Sequence, residues 1–351
     1  MSNNSQPKIP LLFSKYAIPN SWHSLIEIGL TIVFLILGLA MLHFVIQQAI
    51  WPLLIVIFPV SLLFTRIFIL QHDLSHGNLF QDKKYNDIFG NLLGVLVLTP
   101  FYLWRKAHLI HHASGGNTDK RPWIGDIDFL TVREYQEQNR NAKFMYRLCH
   151  NPLVMFFIGS IYVFMIEQRI YKRSYREHKF FGKRELMSII GTNIGIVVFY
   201  GAIIALLGIK FFLIAMLIPL WLGGAIGIYL FYVQHNFTDK YVVSGKEWTL
   251  QDSALKGSTF YDLPQPLKWL TASIGYHHVH TLVPRIPFYR LQKCHQENDF
   301  FHIAPRFGLK DLPKLVSLKL YDENSGKMIS WREYKKLFPA KSECLNSDYA
   351  V

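Results

Sequence analysis

Four largely apolar runs, residues 28–46, 49–69, 186–209 and 211–233, constrain this chain more than any other feature. Each is close to the roughly 20 apolar residues that cross a bilayer as a helix. Backbone amides inside lipid find no water, so runs of this kind must satisfy their hydrogen bonds internally as helices. The connections from first to second and from third to fourth are very short, which predicts two transmembrane hairpins. Two further runs, 88–104 and 152–166, are shorter or broken and are expected to lie along the membrane surface or dip into it. The whole chain is 51% hydrophobic and 17% charged, too apolar for an ordinary soluble domain.

Charge orients the hairpins. Lys and Arg number 37 against 24 Asp and Glu, a net +13. The basic residues gather at 105–108, 119–121 and 169–184, in the N-terminal arm and beyond residue 240. The outer turns carry almost no charge apart from Lys210. Four spans put every basic stretch on one side, which the positive-inside rule makes the cytoplasm. Counting the two shorter runs as spans would place 105–121 outside. The expected fold is an all-α integral membrane protein of four transmembrane helices in two hairpins and two interfacial helices. Residues 1–24 form an N-terminal arm, 25–310 the membrane domain and 311–351 a C-terminal tail, arm and tail both cytoplasmic. Cys149, Cys294 and Cys344 have no redox or metal spacing, which argues against a disulfide framework. The N-terminus lacks a signal-peptide pattern. Nucleic-acid binding is disfavoured, because the basic residues flank apolar runs.

Histidines then stand out. HDLSH (72–76) follows the second span, HLIHH (108–112) the first surface run, QHNFTD (234–239) the fourth span, and HHVHT (277–281) lies further on. All fall on the cytoplasmic side, at span ends or in loops. His72 and His76 are four apart; His108, His111 and His112 are placed to share one helical face, as are His277 and His280. Neutral imidazole suits iron, zinc, copper and nickel. A lone pair at this spacing arises by chance, but three clusters on one membrane face do not. With His235 the candidates number eight: His72, His76, His108, His111, His112, His235, His277 and His280. One metal with open positions needs three or four ligands, so the count points to two metals. Metal-bound histidines usually donate their other nitrogen to a carboxylate or carbonyl. Asp73, Asp119, Asp126, Asp128 and Asp239 are available, although each can equally be an ordinary loop or cap residue. Asp239 is the preferred choice, four residues after His235, and Asn236 could hold a metal-bound water. His23, His43, His150, His178, His295 and His302 lack a partner at ligand spacing and read as surface or core residues.

The series HDLSHGNLF, HLIHHASGGNTDKRPW, NPLVMFFIGSIYVF, LFYVQHNFTDKYV and GYHHVHTLVPRIPFYRL resembles the membrane-bound fatty acid desaturases, in particular the bacterial acyl-lipid Δ12-type branch. The resemblance covers residues 25–310. It implies a non-haem di-iron centre held mainly by these eight histidines, with dioxygen as co-substrate. It also implies two electrons from a separate donor and removal of two hydrogens from adjacent methylenes of a fatty acyl chain. The acyl carrier (lipid, CoA or carrier protein) is left open. No electron-transfer domain is visible, so a ferredoxin-like acidic donor is expected to dock near 105–120 or 169–184.

One position departs from the family. Its third box ends in two adjacent histidines, where this chain has His280 and Thr281. Three accounts are open: His278 substitutes through a shift of register, the site accepts water or the Thr281 hydroxyl, or the chemistry has drifted toward hydroxylation or been lost. The intact VPRIPFYRL that follows favours a working enzyme. The alternatives are an acyl hydroxylase, acetylenase or carotenoid oxygenase of the same superfamily, and more remotely a metal-binding membrane transporter. A transporter would place ligands at mid-membrane on broken helices. A zinc membrane protease would require HExxH, which is absent.

Overall fold

The computed structural model describes residues 9–48, 51–121, 128–170 and 181–339. Among these, three stretches are long and apolar enough to cross a membrane: Ser21–Val45, Pro52–His76 and Lys183–His235. Two bent helix pairs bring the possible number to five. The third stretch covers 53 residues. A straight helix of that length would be about 80 Å long, against a hydrocarbon core of about 30 Å. It is interrupted at Gly208, whose φ of 83° and ψ of 159° are non-helical. Glycine takes up such a backbone without the clash a Cβ would bring. A π-helical turn, Phe212–Leu217, follows the break.

The helices that build the site are α1 (Ser21–Val45), α2 (Trp51–His76), α3 (Lys83–Leu96), α4 (Phe101–His112), α5 (Lys183–Phe211), α6 (Ile218–His235), α7 (His277–Leu282) and α8 (Phe288–Gln296). Helix α2 is the central post, packed against α1, α3 and α6. Its Val60, Phe64, Ile67, Leu70 and Leu74 are all buried. By contrast, α1 exposes Phe34, Leu37 and Met41, and α5 exposes Val197, Val198 and Leu206. Large apolar side chains facing outward in rows are what a lipid environment requires and water penalises.

The shorter apolar runs bend. The run at 88–104 is divided between α3 and α4, which meet at 103°. Leu98 takes a positive φ of 56°, and Pro100 caps α4 in extended conformation. The carbonyl freed at Thr99 is satisfied by the buried Gln71 amide at 3.0 Å. The neighbour of His72 thus fixes the bend that aims α4. The run at 152–166 forms π-helical turns, Val154–Ile158 and Ile161–Ile166, after helix Arg140–Cys149, bent against it by 76°.

The chain is not purely helical. Leu130–Thr131 pairs in parallel with Leu318–Asp322, which pairs antiparallel with Lys327–Ser330; Phe260–Asp262 and Arg306–Gly308 form a second small parallel pair. Residues 312–337, set apart in the sequence reading as part of a tail, are folded onto the body through this sheet and through Asn236, as described below. Strands of two to five residues carry too little alternation to stand out in a sequence.

Candidate metal centre

Three helices end at one level. α2 finishes at His76, α4 at His112 and α6 at His235. The short helix α7 faces these ends and brings His277 and His280. The eight histidines divide into two groups: His72, His76, His108, His112 and His280 offer ring nitrogens all within 4.8 Å of one another, and so do His111, His235 and His277. The single faces expected for His108, His111 and His112 and for His277 and His280 are not kept: each set is split between the two groups. His108 and His112 are one turn apart and point to the first group, whereas His111 is rotated toward α6. In α7, His277 and His280 part in the same way.

The groups are tight and mostly buried. His108 and His112 bring Nε2 atoms to 2.9 Å, and His235 and His277 to 2.8 Å. Two nitrogens bound at about 2.1 Å to one metal at a right angle stand about 3.0 Å apart, so these spacings fit shared coordination. Both ring nitrogens of His280, and Nε2 of His72 and His76, are buried with no hydrogen-bond partner among the described residues. Buried polar atoms are normally paired, and each orphan costs on the order of 1–3 kcal/mol. A bound cation would satisfy them together. Burial, and next the neighbouring histidines, holds His277 and His280 well below the usual imidazole pKa. They are therefore neutral at pH 7, the form that ligates.

Outer contacts fix the rings. The Asp73 carboxylate lies 3.1 Å from His72 Nδ1 through Oδ1, and its Oδ2 accepts the Phe288 backbone N–H at 2.8 Å. Asp73 therefore orients His72 and joins α2 to α8. His235 Nδ1 lies 3.3 Å from the Gly257 carbonyl. Trp104 stacks on His108 at 4.5 Å. Asp73→Asn keeps the shape but replaces one acceptor oxygen by an amide donor. It should lower metal retention about 10- to 100-fold, measured as bound metal per chain.

Other candidates lie elsewhere. His278 joins neither group: its Nε2 is 3.0 Å from His295 Nδ1, and its ring packs near Phe260 and Phe301. Burial, and next His295, pushes its pKa down to about 3. A register shift that substitutes His278 for the missing histidine is not what the fold adopts. Asp239 is exposed and pairs with Lys327 at 3.3 Å. The preference for it as the partner of His235 assumed a helix continuing past that residue. α6 ends there, with Asn236 extended, so no shared face exists. The Asn236 amide donates to the Tyr232 hydroxyl at 2.7 Å and the Leu315 carbonyl at 3.0 Å, tying down the C-terminal segment. Asp119 accepts the Gly245 N–H and Asp128 pairs with Arg121, both loop roles. Asp126 and His178 lie outside the described residues. His23 packs on Tyr289, His43 on Phe211 and His150 on Tyr146. The His278–His295 contact was not legible, because its partners are 17 residues apart.

An apolar cleft opens between α2, the Leu98 bend, α6 and the π-helical turns, lined by Phe64, Phe68, Leu98, Phe164, Trp221 and Gly224 among others. Phe68 touches Phe164 on one side and Trp104 on the other. Trp104 in turn touches His72 and His108, so apolar contacts run from the cleft to the five-histidine group.

Residues 48–309 match the family model described as fatty acid desaturase. The chain belongs to the fatty acid desaturase family. This membrane desaturase is 41% identical over 273 residues to a fatty acid desaturase of Bacillus subtilis, covering 78% of this chain and 76% of the relative. More distant are a chloroplastic sn-2 acyl-lipid omega-3 desaturase (ferredoxin) of Arabidopsis thaliana and an sn-1 oleoyl-lipid 12-desaturase of a Synechocystis species. The first is 26% identical over 348 residues, covering 92% of this chain and 74% of the relative. The second is 25% identical over 237 residues, covering 66% and 64%. Members of the family are oxidoreductases, and this desaturase carries histidine groups that could hold a metal at the ends of its long apolar helices.

Proposed function

We propose that this chain is an oxygen-dependent fatty acyl desaturase. The carrying observation is the paired set of mostly buried histidine groups, joined to an apolar cleft through Phe68 and Trp104. A methylene C–H is strong and nonpolar, so no side-chain acid or base removes its hydrogen. Two iron ions, when bound by His72, His76, His108, His112 and His280 and by His111, His235 and His277, supply the redox chemistry with dioxygen. The balance is one –CH₂–CH₂– unit, one dioxygen, two electrons and two protons giving –CH=CH– and two waters. The protein's part is position. Asp73 and the Gly257 carbonyl hold ligand rings in place, while Phe68, Phe164 and Trp221 exclude water and direct the acyl chain past Trp104 toward the histidines.

In this reading Gly208 divides the third stretch into two spans, making four in two hairpins, with α3–α4 and the π-helical turns as half-buried segments. The histidine groups then face the cytoplasm on the side of the basic loops. Acyl-lipid is the favoured substrate form, in keeping with the lipid substrates named for the plant and cyanobacterial relatives. The electrons come from a separate acidic, ferredoxin-like donor, ferredoxin being named for the Arabidopsis relative, docked near 105–120 or 169–184, of which 171–180 lie outside the described residues. Raising ionic strength from about 0.01 to 0.5 M should slow donor-dependent turnover severalfold, because the Debye length falls from about 30 Å to a few ångströms. Turnover indifferent to salt contradicts the docking site.

The reaction is tested in membranes containing the chain, supplied with a saturated acyl-lipid, a reduced ferredoxin and dioxygen. The expected product is two mass units lighter and forms only when oxygen and reductant are both present. A product sixteen units heavier identifies a hydroxylase. A product formed without oxygen contradicts the reading.

A further inference from the structure

The two histidine groups are unequal, five imidazoles against three. Thr281 accounts for one of the two missing imidazoles. It lies four residues after His277 in α7, on the same helical face. With His111, His235, Lys240 and Tyr241 it lines a small pocket beside the smaller group. The family pattern has a histidine at this position, and imidazole there would bring the smaller group to four. A hydroxyl does not replace it. The Thr281 Oγ1 donates to the His277 carbonyl at 2.9 Å, so its proton is committed to its own helix, and Ser258 Oγ lies 3.4 Å away. A neutral hydroxyl is also a weaker donor than imidazole for iron. His278 points to His295 and supplies nothing.

We propose that this chain holds its two metal ions unequally. The five-histidine group retains its ion firmly. The group of His111, His235 and His277 retains its ion weakly, with a coordination position open toward the Thr281 pocket for water or another small ligand. This inference rests on the di-metal reading of the site.

The test follows iron leaving the purified, iron-loaded chain in detergent under excess ferrous chelator, read by absorbance of the iron–chelator complex. The wild type is expected to release one iron per chain quickly and one slowly, with rates separated at least about tenfold, the scale on which lost ligand support weakens metal sites. Thr281→His should merge the fast phase into the slow one, still with two irons per chain. His235→Ala should abolish the fast phase and leave the slow one, a result that does not depend on accommodating a larger side chain at 281. Two irons released from the wild type in a single phase overturn the proposal. So does a fast phase that Thr281→His leaves unchanged. A wild-type chain that retains no iron contradicts the di-metal reading itself, and this inference with it.

Discussion

His280→Ala is expected to reduce product below detection, at least about a hundredfold, and to lower iron per chain. Outer-contact losses alone weaken metal sites 10- to 100-fold, so a lost ligand should exceed that. His280 is fully buried, and its ring lies 4.4 Å from that of His72, 4.8 Å from His76 and 5.0 Å from His112. With neither ring nitrogen hydrogen-bonded among the described residues, its removal breaks no internal polar contact. The protein should therefore still accumulate in the membrane, melting lower only by the cavity left and the ion lost. His150→Ala is the matched control, since His150 stacks on Tyr146 at 3.8 Å and belongs to neither group. Activity in His280→Ala within twofold of wild type would remove His280 from the site.

Glu27→Ala should cost on the order of 3–5 kcal/mol of stability, because it strands a buried cation. Arg66 on α2 is completely buried. Its guanidinium reaches Glu27 and Thr31 on α1, donates to the Trp269 carbonyl, and lies 4.0 Å from the Trp269 ring. One side chain thus joins both helices of the first hairpin to the segment leading into α7, which carries His277 and His280. The effect should appear as a large fall in melting temperature in detergent and in membrane yield. Glu27→Gln combined with Arg66→Met should recover much of the loss, since replacing both charged partners removes the uncompensated ion. A Glu27→Ala protein as stable as wild type would show that Arg66 finds its compensation elsewhere.

What could be read without a structure follows from the range of the forces involved. Spans such as α1 and α2 are local and periodic, so their apolar runs announced them. Histidine spacing within α4 likewise told which residues share a helix. The division into five and three was not legible, because it depends on how α7 meets the ends of α2, α4 and α6. The Asp239 assignment failed for a local reason: α6 stops at His235, and nothing in QHNFTD marks that stop. The role of Arg66 depends on Glu27 and Trp269, which lie 39 and 203 residues away, so nothing local to its span shows it. The cleft assembles from four separate segments and has no signature in any one of them.

The most direct measurement is the fatty-acid profile of a bacterial host that makes only saturated and monounsaturated acyl chains. Total methyl esters would be separated by gas chromatography and identified by mass, with the chain expressed and with a His111→Ala variant beside it. A new species two mass units lighter, present with the wild type and absent with the variant, is the predicted result, and derivatisation then locates its double bond. A profile identical for wild type and variant, with both proteins in the membrane and a reduced donor supplied, would contradict acyl desaturation at these histidines.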